Sequence, residues 1–280
     1  MPVKAWKALT IPKRFKLPYN LKLSENENKL PESLQSRVNE LSEKVQQNPY
    51  AAMLKSPLRK CTFHERAMPS AFLTRFTVGV DLSTNLTWAV PTLGARHERG
   101  LGQGRYVAQN QPALHSFEKT ARYKYAFRNK AIYRSDMTNL IKSKLLDIAL
   151  TNTKANLERS SSMTTLRFDN DAWIVQNHVQ TGNISFALLF NQSSAADSKK
   201  EHIRSFQNVA NGRSTTAVPF YDVEAIWGET IADSLKQQLE NTHNEAPVAI
   251  AFTLDQMVSR NAIALWKLAG FFRTTETLNS

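Results

Sequence analysis

The sequence predicts a mixed α/β (α+β) protein: a single sheet with helices packed on it, preceded by a basic N-terminal extension. Three observations lead there. Apolar residues recur at helical spacing in four segments, at 33–47, 137–150, 222–239 and beyond Asp255. Short runs rich in Phe, Val, Thr and Trp lie between those segments and read as strands. The order is helix, two strands, helix, two strands, helix, strand, helix, with no internal repeat, which suits helices laid on one sheet. A chain of 280 residues that is 41% hydrophobic, with 14 Phe, is long enough to bury a core. The expected division is a basic leader and linker over 1–32 and one mixed α/β domain over 33–280.

Residues 1–24 alternate cations with Trp6, Leu9, Ile11, Phe15 and Leu17 and contain no acid. They lack the continuous apolar core of a secretory signal. A basic, acid-poor, amphipathic start suits a mitochondrial targeting segment, although it is rich in lysine, poor in serine and interrupted by Pro12 and Pro18. The other reading is a basic arm laid along nucleic acid or a ribosomal surface. Ser33 is the expected N-cap of the first helix, whose stripe of Leu34, Val38, Leu41 and Val45 would dock on the core or on a partner. Asn48-Pro49 ends that helix, because the residue before a proline is pushed out of helical geometry. An apolar turn (Tyr50, Met53, Leu54) comes next. Residues 71–80 and 86–90 are the expected strands of a hairpin turned at 81–85, with Pro91 ending the second.

Residues 94–111 hold Gly94, Gly100, Gly102 and Gly104 and read as a mobile surface loop. Their GLGQG run lacks the spacing of a phosphate-binding loop. Ser135-Asp136 is expected to cap the helix at 137–150. Residues 173–175 and 184–190 read as strands, the second central because it is apolar almost throughout. Residues 191–216 read as a polar loop with a short helix. A helix at 222–239, a strand at 247–254 and a last helix capped by Asp255 and closed by Gly270 complete the chain.

No Gly-x-Ser-x-Gly elbow, H-E-x-x-H or kinase motif is present. Cys61 and His64 form C-x-x-H, but no second pair completes a zinc site, so no metal is expected. As a nucleophile pair they need not face each other, and a buried thiol with a surface histidine is the reading here. A hydrolase with a site around these two residues stays as an alternative. Asp169 and Asp171 look like a fragment of a calcium loop without its other ligands. No cofactor is expected, and nothing in the sequence gives a positive reason to propose an enzyme. One cysteine rules out an internal disulfide framework and suits a reducing compartment such as cytosol, nucleus or mitochondrial matrix. No apolar run of about 18 residues exists, so no helix is expected to span a membrane.

The net charge is +12, and it is unevenly placed. Residues 1–24 carry six cations and no acid, and residues 96–134 carry nine cations against Glu98 and Glu118. Residues 135–280 carry 13 basic and 15 acidic groups. A concentrated basic field favours a polyanion: RNA, DNA or an anionic membrane. Cations and rings interleave over 116–134 (SFEKTARYKYAFRNKAIYR), which suits RNA, since cations hold phosphates and exposed rings stack on bases. The competing reading buries the rings and turns the cations to water. The candidate phosphate contacts are Arg122, Lys124, Arg128, Lys130 and Arg134, with Lys55, Arg59 and Lys60 as a second cluster.

Residues 48–60 (NPYAAMLKSPLRK), 68–76 (MPSAFLTRF) and 90–93 (VPTL) carry a further signal. A tyrosine-containing approach leads to a small-residue-Ser-Pro-x-Arg turn, then an apolar strand, then a Pro-Thr-Leu end. This resembles the fungal mitochondrial family called required for respiratory growth protein 8. The resemblance implies a mitochondrial protein needed for respiratory growth and for maintaining and expressing the mitochondrial genome, with no catalytic residue or cofactor. Together with the charge pattern it leads to the expectation of a non-enzymatic matrix factor that contacts RNA or a mitochondrial ribonucleoprotein. A peripheral subunit of the mitochondrial ribosome is the alternative.

Overall fold

The computed structural model describes residues 32–93, 104–159, 162–169, 172–175, 184–190, 203–211, 214–243 and 248–273. The chain divides into two compact units, residues 1–43 and residues 44–280. The first helix, α1 (Glu32–Gln47), carries the expected stripe, and Leu34, Val38, Leu41 and Val45 on it are all exposed.

The larger unit begins with α2 (Pro49–Leu54), which the sequence presents only as an apolar turn. Asn48 caps it by accepting from the N–H of Tyr50 at 2.9 Å and of Ala51 at 3.2 Å. The strands β1 (Leu58–Lys60) and β2 (Ala67–Pro69) form a small antiparallel pair. The expected hairpin is next, as β3 (Leu73–Asp81) and β4 (Leu86–Thr92). Its turn is tied by the Asp81 carboxylate, which accepts from the Ser83 N–H and from the Ser83 and Thr84 hydroxyls. Pro91 does not end β4. It sits inside the strand opposite Phe76, where its missing N–H is tolerated because β4 is an edge.

The rest of that sheet corrects the loop reading of 94–111. Residues 94–103 lie outside the described residues, but β5 (Arg105–Ala108) pairs with β3, giving the order β4-β3-β5. Val107 and Ala108 are buried, so packing overrides the glycine-rich approach. Helix α3 (Gln111–Lys119) is capped by Asn110 and leads into α4 (Arg122–Ala126). Helix α5 (Met137–Leu157) runs further than its periodicity suggests.

The second half overturns the single sheet. Six strands close into a barrel: β6 (Met163–Asp169), β7 (Ala172–Val175), β8 (Ile184–Leu189), β9 (Arg204–Asn211), β10 (Ser214–Asp222) and β11 (Ala249–Thr253). The order around it is β10-β8-β11-β6-β7-β9. Two parallel pairings, β8 with β10 and β7 with β9, join strands distant in sequence and close the ring through the β9–β10 hairpin. Residues 204–211 and 214–216 are therefore strand, not polar loop. On β9 Ser205 and Gln207 share the inward face of Val209, and Gln207 accepts from the indole N–H of Trp173, while Arg204, Phe206 and Asn208 lie on the other face; Val218 of β10 also points in.

Period-two alternation divides the strands between two cores. Ala187, Leu189, Phe220, Ala249 and Ala251 fill the barrel interior with Leu166, Val175 and Trp173, whose ring lies 5.2 Å from that of Phe220. The alternate residues Phe186, Leu188, Tyr221, Ile250 and Phe252 face outward into a larger core with the helices. There α6 (Val223–Trp227), α7 (Glu229–His243) and α8 (Gln256–Phe272) pack with α5. The expected helix at 222–239 is two helices, split at Gly228, whose φ of +84° favours glycine. Asp255 caps α8 as expected, accepting from the Val258 N–H at 2.7 Å. Gly270 does not end it, because the helix continues to bury Phe271. The same outer core reaches Phe76 of β3, Phe117 of α3, Phe127 and Tyr133, so the three-stranded sheet and the barrel share one apolar continuum.

Candidate nucleic-acid interface

The site starts from a clamp between the β1–β2 pair and β5. Arg59 stands opposite Met68 and Lys60 opposite Ala67. The connecting turn, 61–66, folds onto β5, with the Thr62 N–H donating to the Tyr106 carbonyl at 2.7 Å. Cys61 is the peg of the clamp. It is fully buried beside Leu73, Ala108 and Ala113, and its sulfur accepts from the N–H of His64 at 3.4 Å and of Ala108 at 3.3 Å. The thiol and the His64 Nδ1 do meet, at 3.5 Å, although the sulfur has no exposed surface. The clamp sets Arg59 and Lys60 beside Arg105 and Tyr106, and the Arg59 guanidinium carbon lies 5.9 Å from the centre of the Tyr106 ring.

The opposite wall comes from α4. Ala121, at φ 51°, turns the chain out of α3 and starts it. Tyr123 and Phe127 are four residues apart and face inward. Phe127 is buried, and Tyr123 stacks on the buried Tyr133 at 5.0 Å between ring centres. Tyr125 lies on the other face and is 86% exposed. Arg122 ties the two walls together. Its Nη1 donates to the Phe63 carbonyl at 2.6 Å, and its guanidinium sits 5.3 Å from the centre of the Phe63 ring.

Between the walls is a groove of about 670 Å³ lined by Arg59, Lys60, Arg105, Arg122, Tyr106 and Tyr125. Glu65 is the one acid among the described residues that line it. The local field registers on His64. Burial, and then the positive charges of Arg66 and Arg122, hold its imidazole below the usual histidine range. Guanidinium and ammonium groups around exposed rings can neutralise phosphates and stack a base.

The structure brings three of the eight expected contacts, Arg59, Lys60 and Arg122, into this groove from the two separate clusters. Lys55, Lys124, Arg128 and Lys130 are exposed but do not line it. Arg134 is committed to Asp136 by two hydrogen bonds, at 2.8 and 2.6 Å. That pairing holds the Asp136 carboxyl below the usual range and leaves α5 without the side-chain cap expected from Asp136. Arg105 and Tyr106 belong to the segment that the sequence presents as a loop, where an Arg-Tyr pair is the only signal. Of the interleaved rings, Phe117, Phe127 and Tyr133 belong to the core and Tyr125 to the surface. Among the described residues no group of three or more His, Cys, Asp or Glu could hold a metal, and no helix is long and apolar enough to cross a membrane.

Comparison with curated proteins and with solved structures yields no match. The sequence pattern of one family, described as required for respiratory growth protein 8, mitochondrial, matches residues 13–271. That span takes in the clamp, α4 and the whole barrel, far beyond the short motifs at 48–93 that carry the resemblance. The chain belongs to this family of mitochondrial proteins required for respiratory growth.

Proposed function

We propose that this protein is a non-enzymatic factor of the mitochondrial matrix that acts in maintaining and expressing the mitochondrial genome by holding RNA, free or within a ribonucleoprotein, in the cationic groove. One observation carries the reading: Arg59, Lys60, Arg105 and Arg122 converge around Tyr106 and the exposed Tyr125, with Glu65 the one acid among the described lining residues. Charge neutralisation supplies the affinity, and base readout contributes little. Sedimentation of the tagged protein from a mitochondrial lysate, with and without ribonuclease and across a salt series, tests it. Heavy migration that ribonuclease or salt abolishes supports the reading. Stable co-migration with a ribosomal subunit at high salt points to a ribosomal component instead. A light peak under every condition contradicts both.

A further inference from the structure

The end of the β3–β4 hairpin turns an apolar face to solvent. β5 pairs only with residues 73–76 of β3, so residues 77–81 and 86–90 run on as a two-stranded ribbon. Leu86, Trp88 and Val90 alternate along β4 and share one face of it. Ile132 joins that face as the parallel bridge partner of Trp88. The residues next to them point the other way, since Ala89 and Tyr133 are buried in the core with Phe76. Leu86, Val90 and Ile132 are 40–43% exposed, and Trp88 is half-buried.

Two details indicate what meets this face. On the β4 side its backbone is closed to an added strand. The Ala89 N–H donates to the Ile132 carbonyl at 2.9 Å, the Ile132 N–H donates to the Thr87 carbonyl at 2.8 Å, and Pro91 has no N–H to offer. Side chains are therefore what it presents there. The second detail is charge. After α4, Arg128 and Asn129 take positive φ, 52° and 55°, and the Asn129 N–H returns to the Lys124 carbonyl at 2.8 Å. That turn gathers Lys124, Arg128 and Lys130, all exposed and all outside the cationic groove, just ahead of Ile132. Because the bridge is parallel, Lys130 precedes Ile132 on the side where Leu86 precedes Trp88. Asp81, opposite Leu86, is the one acid of β3 and β4, and its carboxylate is taken up by the turn donors of Ser83 and Thr84.

We propose that this face seats the protein on an anionic lipid surface. Leu86, Trp88, Val90 and Ile132 enter the boundary between headgroups and acyl chains, and Lys124, Arg128 and Lys130 meet lipid phosphates. Aliphatic side chains around one indole, rimmed by cations, are the composition of interfacial membrane-binding elements. Three aliphatic side chains give an RNA base no ring to stack on, and a lipid surface, unlike an added strand, needs no backbone partner. Asp81 sets the depth, because an ionised carboxylate must stay at the level of the headgroups. The inference goes beyond the groove and does not rest on it.

The test uses the full chain carrying Val90→Cys labelled with an environment-sensitive fluorophore, which Cys61 does not take because it is fully buried. The vesicles are phosphatidylcholine alone, or equal parts phosphatidylcholine and cardiolipin. The probe reads the face itself, so attachment through residues 1–24 leaves it unmoved. Its emission should shift to the blue with the anionic vesicles only. Each cation near an anionic surface is worth about fivefold in partitioning, so Lys124→Gln, Arg128→Gln and Lys130→Gln together should weaken the response about 100-fold. Leu86→Ser with Ile132→Ser should weaken it roughly tenfold. Both sets should keep the fold by circular dichroism, because all five side chains are exposed. No blue shift, or one as large with neutral vesicles, overturns the seat. A response that survives Leu86→Ser with Ile132→Ser would be adsorption of the cations alone, which also overturns it. If that pair instead weakens the binding of an oligouridine, the face belongs to RNA and the proposal is wrong.

Discussion

Neutralising Arg59, Lys60, Arg105 and Arg122 together is the sharpest perturbation of the groove. These four cations line the groove. If each meets one phosphate of a single strand, the slope of log affinity against log salt is about −2.8, at roughly 0.7 per contact. Between 50 and 200 mM salt the wild type should lose about 50-fold in affinity. With the four contacts removed the slope should fall close to zero, and the same salt change should cost the variant little. Anisotropy titrations of a labelled oligouridine at four salt concentrations read both slopes, with circular dichroism confirming that the variant is folded. Glu65→Gln supplies a control of opposite sign and should tighten binding, because it removes an acid that lines the groove. Equal slopes in wild type and quadruple variant would refute the reasoning, since the four cations would then face water and not RNA.

Three further substitutions probe the ring on the groove, the core and a buried phenol. Tyr125→Ala should leave the melting temperature unchanged, because the ring is 86% exposed, yet weaken RNA binding by about 1–3 kcal/mol if a base stacks on it. Phe76→Ala should cost about 3–5 kcal/mol in denaturant unfolding, because its ring is fully buried among Phe117, Phe127 and Tyr133. Burial pushes the Tyr50 phenol up to about 12, against the pull of Tyr221 and Arg204, so the folded protein holds this proton more tightly than the unfolded chain does. The stability it contributes is present below about pH 10 and lost as pH rises toward 12, and Tyr50→Phe should flatten the fall of unfolding free energy across that window.

How far the sequence reveals this molecule depends on whether the controlling contacts are local. The β3–β4 hairpin is legible because its strands are rich in β-branched and aromatic residues and its turn is closed by Asp81 three residues away. The caps at Asn110, Asp222 and Asp255 act over the same distance, although only the Asp255 cap is expected from the sequence. The barrel is not legible. Its closure rests on β7 pairing with β9 and β8 with β10, registers that leave no mark in hydrophobic periodicity. β9 is hidden further because its alternating residues are Arg204, Phe206 and Asn208 against Ser205 and Gln207, so only its Val209 end reads as strand.

The candidate site divides in the same way. Two cation clusters can be read from composition, but their meeting cannot, because it depends on the turn at 61–66 docking on Tyr106. The ring pattern at 123–133 is ambiguous for a geometric reason. Tyr123 and Phe127 share a helix face and Tyr125 does not, so one run supplies both core and surface. The Arg134 charge is equally visible in the sequence, and only the structure shows it committed to Asp136.

The most direct test of the central claim is ultraviolet crosslinking in intact mitochondria, with recovery of the tagged protein and mapping of the RNA-bearing peptides. The account predicts crosslinks at Tyr106 or Tyr125 that disappear when Arg59, Lys60, Arg105 and Arg122 are neutralised. Absence of crosslinked RNA, or crosslinks that persist unchanged in that variant, would contradict it.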